Sequence, residues 1–321
     1  MNVTTVLGSG SVALAYALFA ARSGPVVLRC RPPSAVPAVE SVPAPLLTLL
    51  LELGITPAEL DVDRLFTHRL VAWEDPTPAE RQSPSCAHLD RAALTAALWR
   101  RIDVEHSRRI RRECSTDEAA RLVDATGRRA VTARAHARPS PAWVATCCTV
   151  ARGDLDPAMR LAAAPAGYAY RLGSARWLTV GWVGPGPGPR DAAELRRRLE
   201  DSGAGWLADG VGLREDIWSR RVASLDIPAA RDVIAIGDAA LARDALASQG
   251  MSIGLSDARL AAGGATRHEL ERRQADGLER HLRSLSRILV ACRYRDQPVW
   301  SAYEHWVGRQ LEVAARPASG A

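Results

Sequence analysis

A short β-branched stretch, Val3–Leu7, runs directly into Gly8, Gly10 and Ala13 at GxGxxA spacing, and an apolar stretch from Val12 to Ala21 follows. This junction leaves few folds open. A strand that turns at once into a helix, with a second strand at Val26–Leu28 after Gly24, is a βαβ unit of a parallel sheet. Gly8 permits the tight turn, Gly10 lets backbone approach a pyrophosphate, and Ala13 lets helix and strand pack closely. The helix N-terminus then turns its free N–H groups and positive dipole end toward the phosphates. Gly8, Ser9, Gly10, Ser11, Val12 and Ala13 are therefore expected to line a dinucleotide site. The apolar run has the hydropathy of a signal or membrane segment. No basic residue precedes it and glycines interrupt it, so a soluble cytoplasmic chain with no membrane partner is expected.

The second strand of such a unit ordinarily ends in Asp or Glu, which holds the ribose hydroxyls. Here Arg29, Cys30 and Arg31 occupy that place. Either the adenosine ribose is held differently, or the arginines face a 2′-phosphate. The loop alone leaves FAD and NADP both open. The C-terminal half is more informative. Val233–Ile236 predicts a short buried strand, and Gly237–Asp238 follows at its carboxyl end, where a carboxylate accepts hydrogen bonds from ribitol or ribose. Gln249, Gly250 and Met251 then open an apolar helix whose N-terminus suits the anionic pyrimidine edge of a reduced flavin.

Residues 237–251, reading GDAALARDALASQGM, resemble the GD segment of the class A FAD-dependent monooxygenases, the aromatic hydroxylases. More narrowly they resemble the branch holding the tryptophan halogenases and peptidyl-tryptophan hydroxylases. Residues 40–55, 88–101, 121–130 and 294–300 are similar to further segments of that branch, in the same order. The resemblance implies an α/β protein: a Rossmann-type FAD-binding domain, a small inserted antiparallel substrate sheet and C-terminal helices. It implies FAD, with its pyrophosphate at Gly8, Gly10 and Ala13 and its adenosine near Arg29 and Cys30. Arg91 would lie near the pyrophosphate or ribitol. Asp124, Thr126 and Gly127 would deliver a second glycine turn to the flavin. Gly237 and Asp238 would bind the ribitol, with Gln249, Gly250 and Met251 beside the isoalloxazine. Arg91 also fits a plain surface arginine, and Asp124 a simple turn cap. Ala245 follows Asp244 where the family's pattern has proline. The implied reaction is hydroxylation of an aromatic, indolic substrate, free or bound to a peptide or carrier, in natural-product biosynthesis. It would proceed through a flavin C4a-hydroperoxide formed with O2, with electrons from NAD(P)H or a partner flavin reductase.

Composition narrows this chemistry. The chain has 321 residues and 42 Lys+Arg, and every one of those cations is arginine. Lysine Schiff-base chemistry and the Walker A phosphate loop are excluded. The halogenases of the resembling branch depend on a lysine and carry a WxWxIP segment, and neither is present here, which points to hydroxylation. His88, beside the Asp90–Arg91 segment, is the candidate general base, with His68, His106 and His136 behind it. The six cysteines show no CxxC and no histidine-rich spacing, so no metal is expected. The net charge of +6 is spread along the chain without a basic, aromatic-interleaved patch, so no nucleic-acid partner is expected.

The domain division expected is 1–135 with 227–265 for FAD, 136–226 for a small substrate sheet, 266–314 for C-terminal helices, and a disordered tail at 315–321. Trp143, Tyr168, Tyr170, Trp177 and Trp182 lie in alternating stretches and are candidates for an aromatic pocket or for sheet packing. Leu270, Leu278, Leu282, Leu285, Ile288 and Leu289 mark one face of one or two amphipathic helices that pack on the FAD domain or on another subunit. Two other readings stay open: an FAD-dependent oxidase or dehydrogenase, and a non-catalytic maturation or binding subunit that keeps the fold.

Overall fold

The computed structural model describes residues 3–30, 38–62, 64–105, 109–113, 121–132, 143–151, 158–212, 217–222, 233–243, 246 and 249–314. Arg31, His106, Cys114, His136, Asp244, Ala245 and the tail 315–321 lie outside them. In chain order the first half comprises β1 (Thr4–Leu7), α1 (Ser11–Ala20), β2 (Val26–Arg29), β3 (Val39–Pro43), α2 (Ala44–Leu51), β4 (Phe66–Ala72), β5 (Ala79–Asp90), α3 (Arg91–Glu105), β6 (Ile110–Glu113) and β7 (Arg121–Asp124). The second half comprises β8 (Trp143–Val150), β9 (Met159–Ala164), β10 (Gly167–Gly173), β11 (Leu178–Pro185), α4 (Ala192–Asp201), β12 (Ile217–Val222), β13 (Val233–Ala235), α5 (Gly250–Ala262), α6 (Arg267–Val290) and α7 (Pro298–Ala314).

The first sheet is wholly parallel, in the order β13-β7-β1-β2-β6. It is the Rossmann-type layer that the N-terminal glycine loop predicts. Its central strand is buried, as a parallel strand covered on both faces must be. Helix α1 is apolar around its whole circumference, and Ala13 through Ala20 are all buried. A helix of that kind needs partners on every side. It packs with residues of β1, β2, α2, α3 and α5 in one core that includes Val6, Leu28, Leu46, Leu98, Val123 and Leu255.

The second sheet has eight strands in the order β12-β8-β11-β10-β9-β4-β5-β3. All neighbours are antiparallel except β4 and β9. The expected inserted unit, 136–226, contributes β8 to β12. Strands β3, β4 and β5, from within 1–135, complete the same sheet, so it draws on two separate chain segments. Of the family-like segment 88–101, His88–Asp90 are the end of β5 and α3 begins at Arg91. Ala87 and Leu89 belong to the core built around α1 and the parallel sheet. Asp90 closes the junction: its Oδ1 accepts from Ala92 N–H at 2.9 Å.

Helices cover both faces of this sheet. On one, Cys148, Val150, Ala169, Val180 and Trp182 meet Leu195 and Leu199 of α4. On the other, Trp73, Trp143, Tyr168 and Val183 meet Leu282, Leu285 and Leu289 of α6 and Trp300, Tyr303 and Val307 of α7. The amphipathic face of α6 thus docks mainly on the antiparallel sheet, while Leu270 in its first turns joins the dinucleotide core. Polar anchors fix this docking. Trp300 Nε1 donates to Ala164 O and Trp73 Nε1 to Ile288 O, both at 2.8 Å. Arg293, between α6 and α7, donates to the carbonyls of Ala72, Asp75 and Ala163.

Trp300 is 1% exposed and Val104, on α3, is 80% exposed. Trp300→Ala is expected to lower unfolding free energy by about 3–5 kcal/mol, and Val104→Ala to change it by less than about 0.5 kcal/mol. Urea titration of both variants measures the contrast.

Candidate dinucleotide and substrate site

The β1–α1 loop is built on two glycines with different duties. Gly8 has φ +127°, and a Cβ there would stand 2.5 Å from the carbonyl oxygen of Ala125. Its N–H donates to Arg29 O at 3.0 Å, which ties the loop to the end of β2. Gly10 is the N-cap of α1, makes no side-chain cap, and has open space where a Cβ would be. The first-turn N–H groups of Ser11, Val12 and Ala13 have no partner within the helix. Ser9, Gly10 and Ser11 lie on the accessible side of the loop, whereas Ala13 is buried.

A second helix N-terminus meets the first. Helix α5 starts after Gln249, again without a side-chain cap. Val12 of α1 sits against Gly254 of α5 and Gly237 of the GD turn: a Cβ at those glycines would lie 2.7 and 3.2 Å from its methyl groups. Gly237 has φ +60°, the left-handed turn that sends the chain from β13 toward Asp238. The Oδ1 of Asp238 stands 3.5 Å from where a Cβ on Gly250 would be, so the carboxylate faces the start of α5. Gly250 and Met251 are partly exposed and Gln249 is exposed. Two positive dipole ends and one carboxylate are thereby gathered at one point.

The Asp124–Gly127 turn contributes shape. Asp124 is fully buried. Its Oδ1 accepts from Thr126 N–H and Oγ1 at 2.9 and 2.6 Å, and its Oδ2 from Thr132 N–H and Oγ1 at 3.0 and 2.6 Å. A carboxylate so occupied holds the turn together and has no free edge for a ligand, so of the two readings the turn cap is the one its bonds describe. Gly127, with φ +65°, has open space beyond it. Arg29 and Cys30 are partly buried where β2 ends, and Cys30 packs on the core.

Arg91 starts α3 and forms an ion pair with Glu40 of β3. Its charge reaches Tyr170 of β10, whose hydroxyl also bonds the Cys147 thiol. Burial pushes the Tyr170 pKa well up, Cys147 adds to this, and Arg91 opposes it, so the phenol stays protonated at neutral pH. The ring lies flat over Gly181: a Cβ there would stand 2.3 Å from Cε1 and Cζ. Of the five aromatic candidates, Trp143 and Tyr168 are packed under α6 and α7 and Trp182 under α4. Trp177 is partly exposed near the end of β10, and Tyr170 alone meets Arg91. Trp143, Tyr168 and Tyr170 share the face under α6 and α7, and Trp182 takes the opposite face, so the five do not line one pocket.

His88 is buried, tilted against the Phe66 ring at 4.8 Å, and donates from Nδ1 to Gly173 O at 2.8 Å. It ties β5 to the end of β10, the position of a structural histidine. His68 lies on the outer β4–β5 hairpin opposite Gln82. Sequence reasoning missed Glu40, Cys147 and Arg128. Arg128 follows the second glycine turn, and its Nε donates to Asp238 Oδ2 at 3.3 Å. Only its place in the DATGR segment marks it in the sequence.

The whole arrangement defines a class of fold: a parallel sheet joined to a large, mostly antiparallel sheet, as in flavin-dependent halogenases and aromatic monooxygenases. No family model and no curated protein sequence matches the chain. Among solved structures, it is similar to a peptidyl tryptophan dihydroxylase essential for tryptophylquinone cofactor biogenesis, with 22% identity and TM-score 0.74 over 94% of this chain and 78% of the other. It is similar to a tryptophan halogenase from Shewanella frigidimarina, with 12% identity and TM-score 0.74 over 98% and 82%. It is also similar to p-nitrophenol 4-monooxygenase from Pseudomonas putida, with 16% identity and TM-score 0.70 over 98% and 96%. Among the described residues, no helix is long and apolar enough to cross a membrane.

The two loop glycines separate stability from binding. Gly8→Ala is expected to destabilise the ligand-free protein by about 2 kcal/mol or more through strain and the clash with Ala125. Gly10→Ala is expected to stay within about 0.5 kcal/mol of the parent. Urea unfolding without ligand distinguishes them.

Proposed function

We propose that the chain is an FAD-dependent monooxygenase that hydroxylates an aromatic, indole-type substrate. One observation carries this reading: two uncapped helix N-termini, α1 and α5, meet with Asp238 between them. That arrangement fits a dinucleotide whose pyrophosphate needs N–H donors and whose polyol needs an acceptor. Bound FAD, once reduced, supplies the activation of O2 for transfer of one oxygen atom to an aromatic carbon.

The chain's own residues do the rest by binding and exclusion. Backbone N–H groups of Ser11, Val12 and Ala13 hold the pyrophosphate. Asp238 accepts from the ribitol through Oδ1. Arg29 and Cys30 replace the usual acid at the adenosine end. The start of α5, at Gly250 and Met251, places positive potential beside the pyrimidine edge. The protonated Tyr170 hydroxyl, the Cys147 thiol and the Arg91–Glu40 pair form the polar rim on the sheet side. His88 acts on position only, by fixing where β5 and β10 meet.

Hydroxylation is favoured over halogenation because the chain contains no lysine to take up hypohalous acid. The compact sequence supports a substrate presented on a peptide or carrier. Among the described residues, β6 is the one strand between α3 and β7. Electrons come from NAD(P)H or from a partner flavin reductase.

The test uses purified protein loaded with FAD, reduced in the presence of O2 with a short tryptophan-containing peptide or free tryptophan. Mass spectrometry is expected to find one added oxygen on the peptide, and no bromination when bromide is present. Peroxide without oxygenated product would make the protein an oxidase, and failure to bind FAD would make it a non-catalytic subunit. Gly10→Ala is expected to weaken FAD binding by roughly tenfold or more, because its methyl group enters the space the pyrophosphate needs.

A further inference from the structure

Behind Asp238 lies a layer of charge that the proposed chemistry does not use. Arg128 grips Asp238 from one side: its Nε donates to Oδ2 at 3.3 Å, and its Nη2 donates to the backbone carbonyl of Arg243 at 3.0 Å. With Oδ2 held, Oδ1 is left facing Gly250 at the start of α5. Arg243 is 4% exposed, and its guanidinium rests in a notch on α6 where Gly277 has no side chain. A Cβ on Gly277 would stand 2.7 Å from Nη2 of Arg243. Burial lowers the Arg243 pKa, and the Asp257 and Asp238 carboxylates oppose that shift. Asp257, on α5, is itself buried and accepts from Arg273 Nε of α6 at 3.2 Å. Arg273 also donates to Ser256 Oγ at 2.8 Å, and Gln274 Nε2 to Ala235 O at 3.1 Å.

Among the described residues, Arg128, Arg243, Arg273 and Arg280 stand around Asp238 and Asp257, with Arg243 and Asp257 buried and Arg273 at the exposed edge. The guanidinium groups gathered here favour a ligand that brings negative charge to this end. The layer spans the GD turn, α5 and α6, so the helix that docks the C-terminal pair also holds the group next to Asp238.

We propose that Arg128 and Arg243, the latter seated on Gly277 of α6, are positioning residues that orient Asp238 toward the cofactor's ribitol and favour the reduced, more negative flavin. This rests on the FAD reading above. Arg128 fixes which carboxylate oxygen is offered. Arg243 fixes Arg128 through its carbonyl and adds positive potential from below. Helix α6 thereby links the docking of the C-terminal helices to cofactor hold.

The test compares the full chain with Arg128→Gln, Arg128→Lys and Gly277→Ala. It measures FAD dissociation by fluorescence quenching, the midpoint potential of the bound flavin, and urea unfolding of the ligand-free protein. Arg128→Gln is expected to weaken FAD binding by roughly tenfold or more, the scale of one charge-assisted hydrogen bond, and to lower the midpoint potential. Arg128→Lys is expected to recover the potential but only part of the affinity, since it keeps the charge and loses the fork. Gly277→Ala is expected to weaken binding by a smaller factor from the far side of the layer. Unchanged affinity and potential in the Arg128 variants would overturn the proposal. If Arg128→Gln does not fold, the same two readouts on Arg128→Lys and Gly277→Ala decide, and parental values in both overturn it. Absence of FAD binding by the parent chain would instead overturn the cofactor reading itself.

Discussion

The contact of Val12 with Gly237 and Gly254 is the constraint on which the site depends. Methyl groups of Val12 fill the space two missing side chains leave, and this brings the N-termini of α1 and α5 to one place. Any side chain at Gly254 would force the helices apart, and the two dipole ends would no longer converge. The parallel order of β13, β7, β1 and β2 supplies the other half of the geometry, because it puts the carboxyl ends of those strands, with Gly8, Asp124 and Asp238 just beyond or at them, along one edge. Across from α3, Arg91 pairs with Glu40 of β3 and its charge reaches Tyr170 of β10.

The parallel half was legible in the sequence because its constraints are local. A positive φ at Gly8, an open backbone at Gly10 and a short strand ending at Gly237–Asp238 all leave their mark within a few residues. Asp124 was legible as either a ligand or a cap. Four hydrogen bonds from Thr126 and Thr132 describe a cap, and Thr132 lies eight positions away, too far for the turn pattern alone to reveal.

The antiparallel half was less legible for a physical reason. Strand β5 reads AERQSPSCAHLD, with polar residues and Pro84 in its outer part. It changes partners along its length, from β4 on the outer hairpin to β3 and the dinucleotide core at Ala87 and Leu89, so no single alternation runs through it. The aromatic residues of β8, β10 and β11 were correctly placed on strands, but which face each takes depends on register. Pairing Tyr170 with Gly181, and Gly181 with Cys147, is a long-range fact. Likewise, the amphipathic face of α6 predicts burial, while its partner, a layer of Trp73, Trp143 and Tyr168, is set by tertiary structure.

Helix α6 has 24 residues, roughly 36 Å at the usual rise per residue. Its first turns are embedded beside α5 and its later turns beneath the antiparallel sheet, so it works as a beam fastened to both halves. Hinging one half against the other would have to tear out either Leu270 or the Leu282–Leu289 face. Rotation of one half of the molecule about the other is therefore opposed at both ends of a single helix.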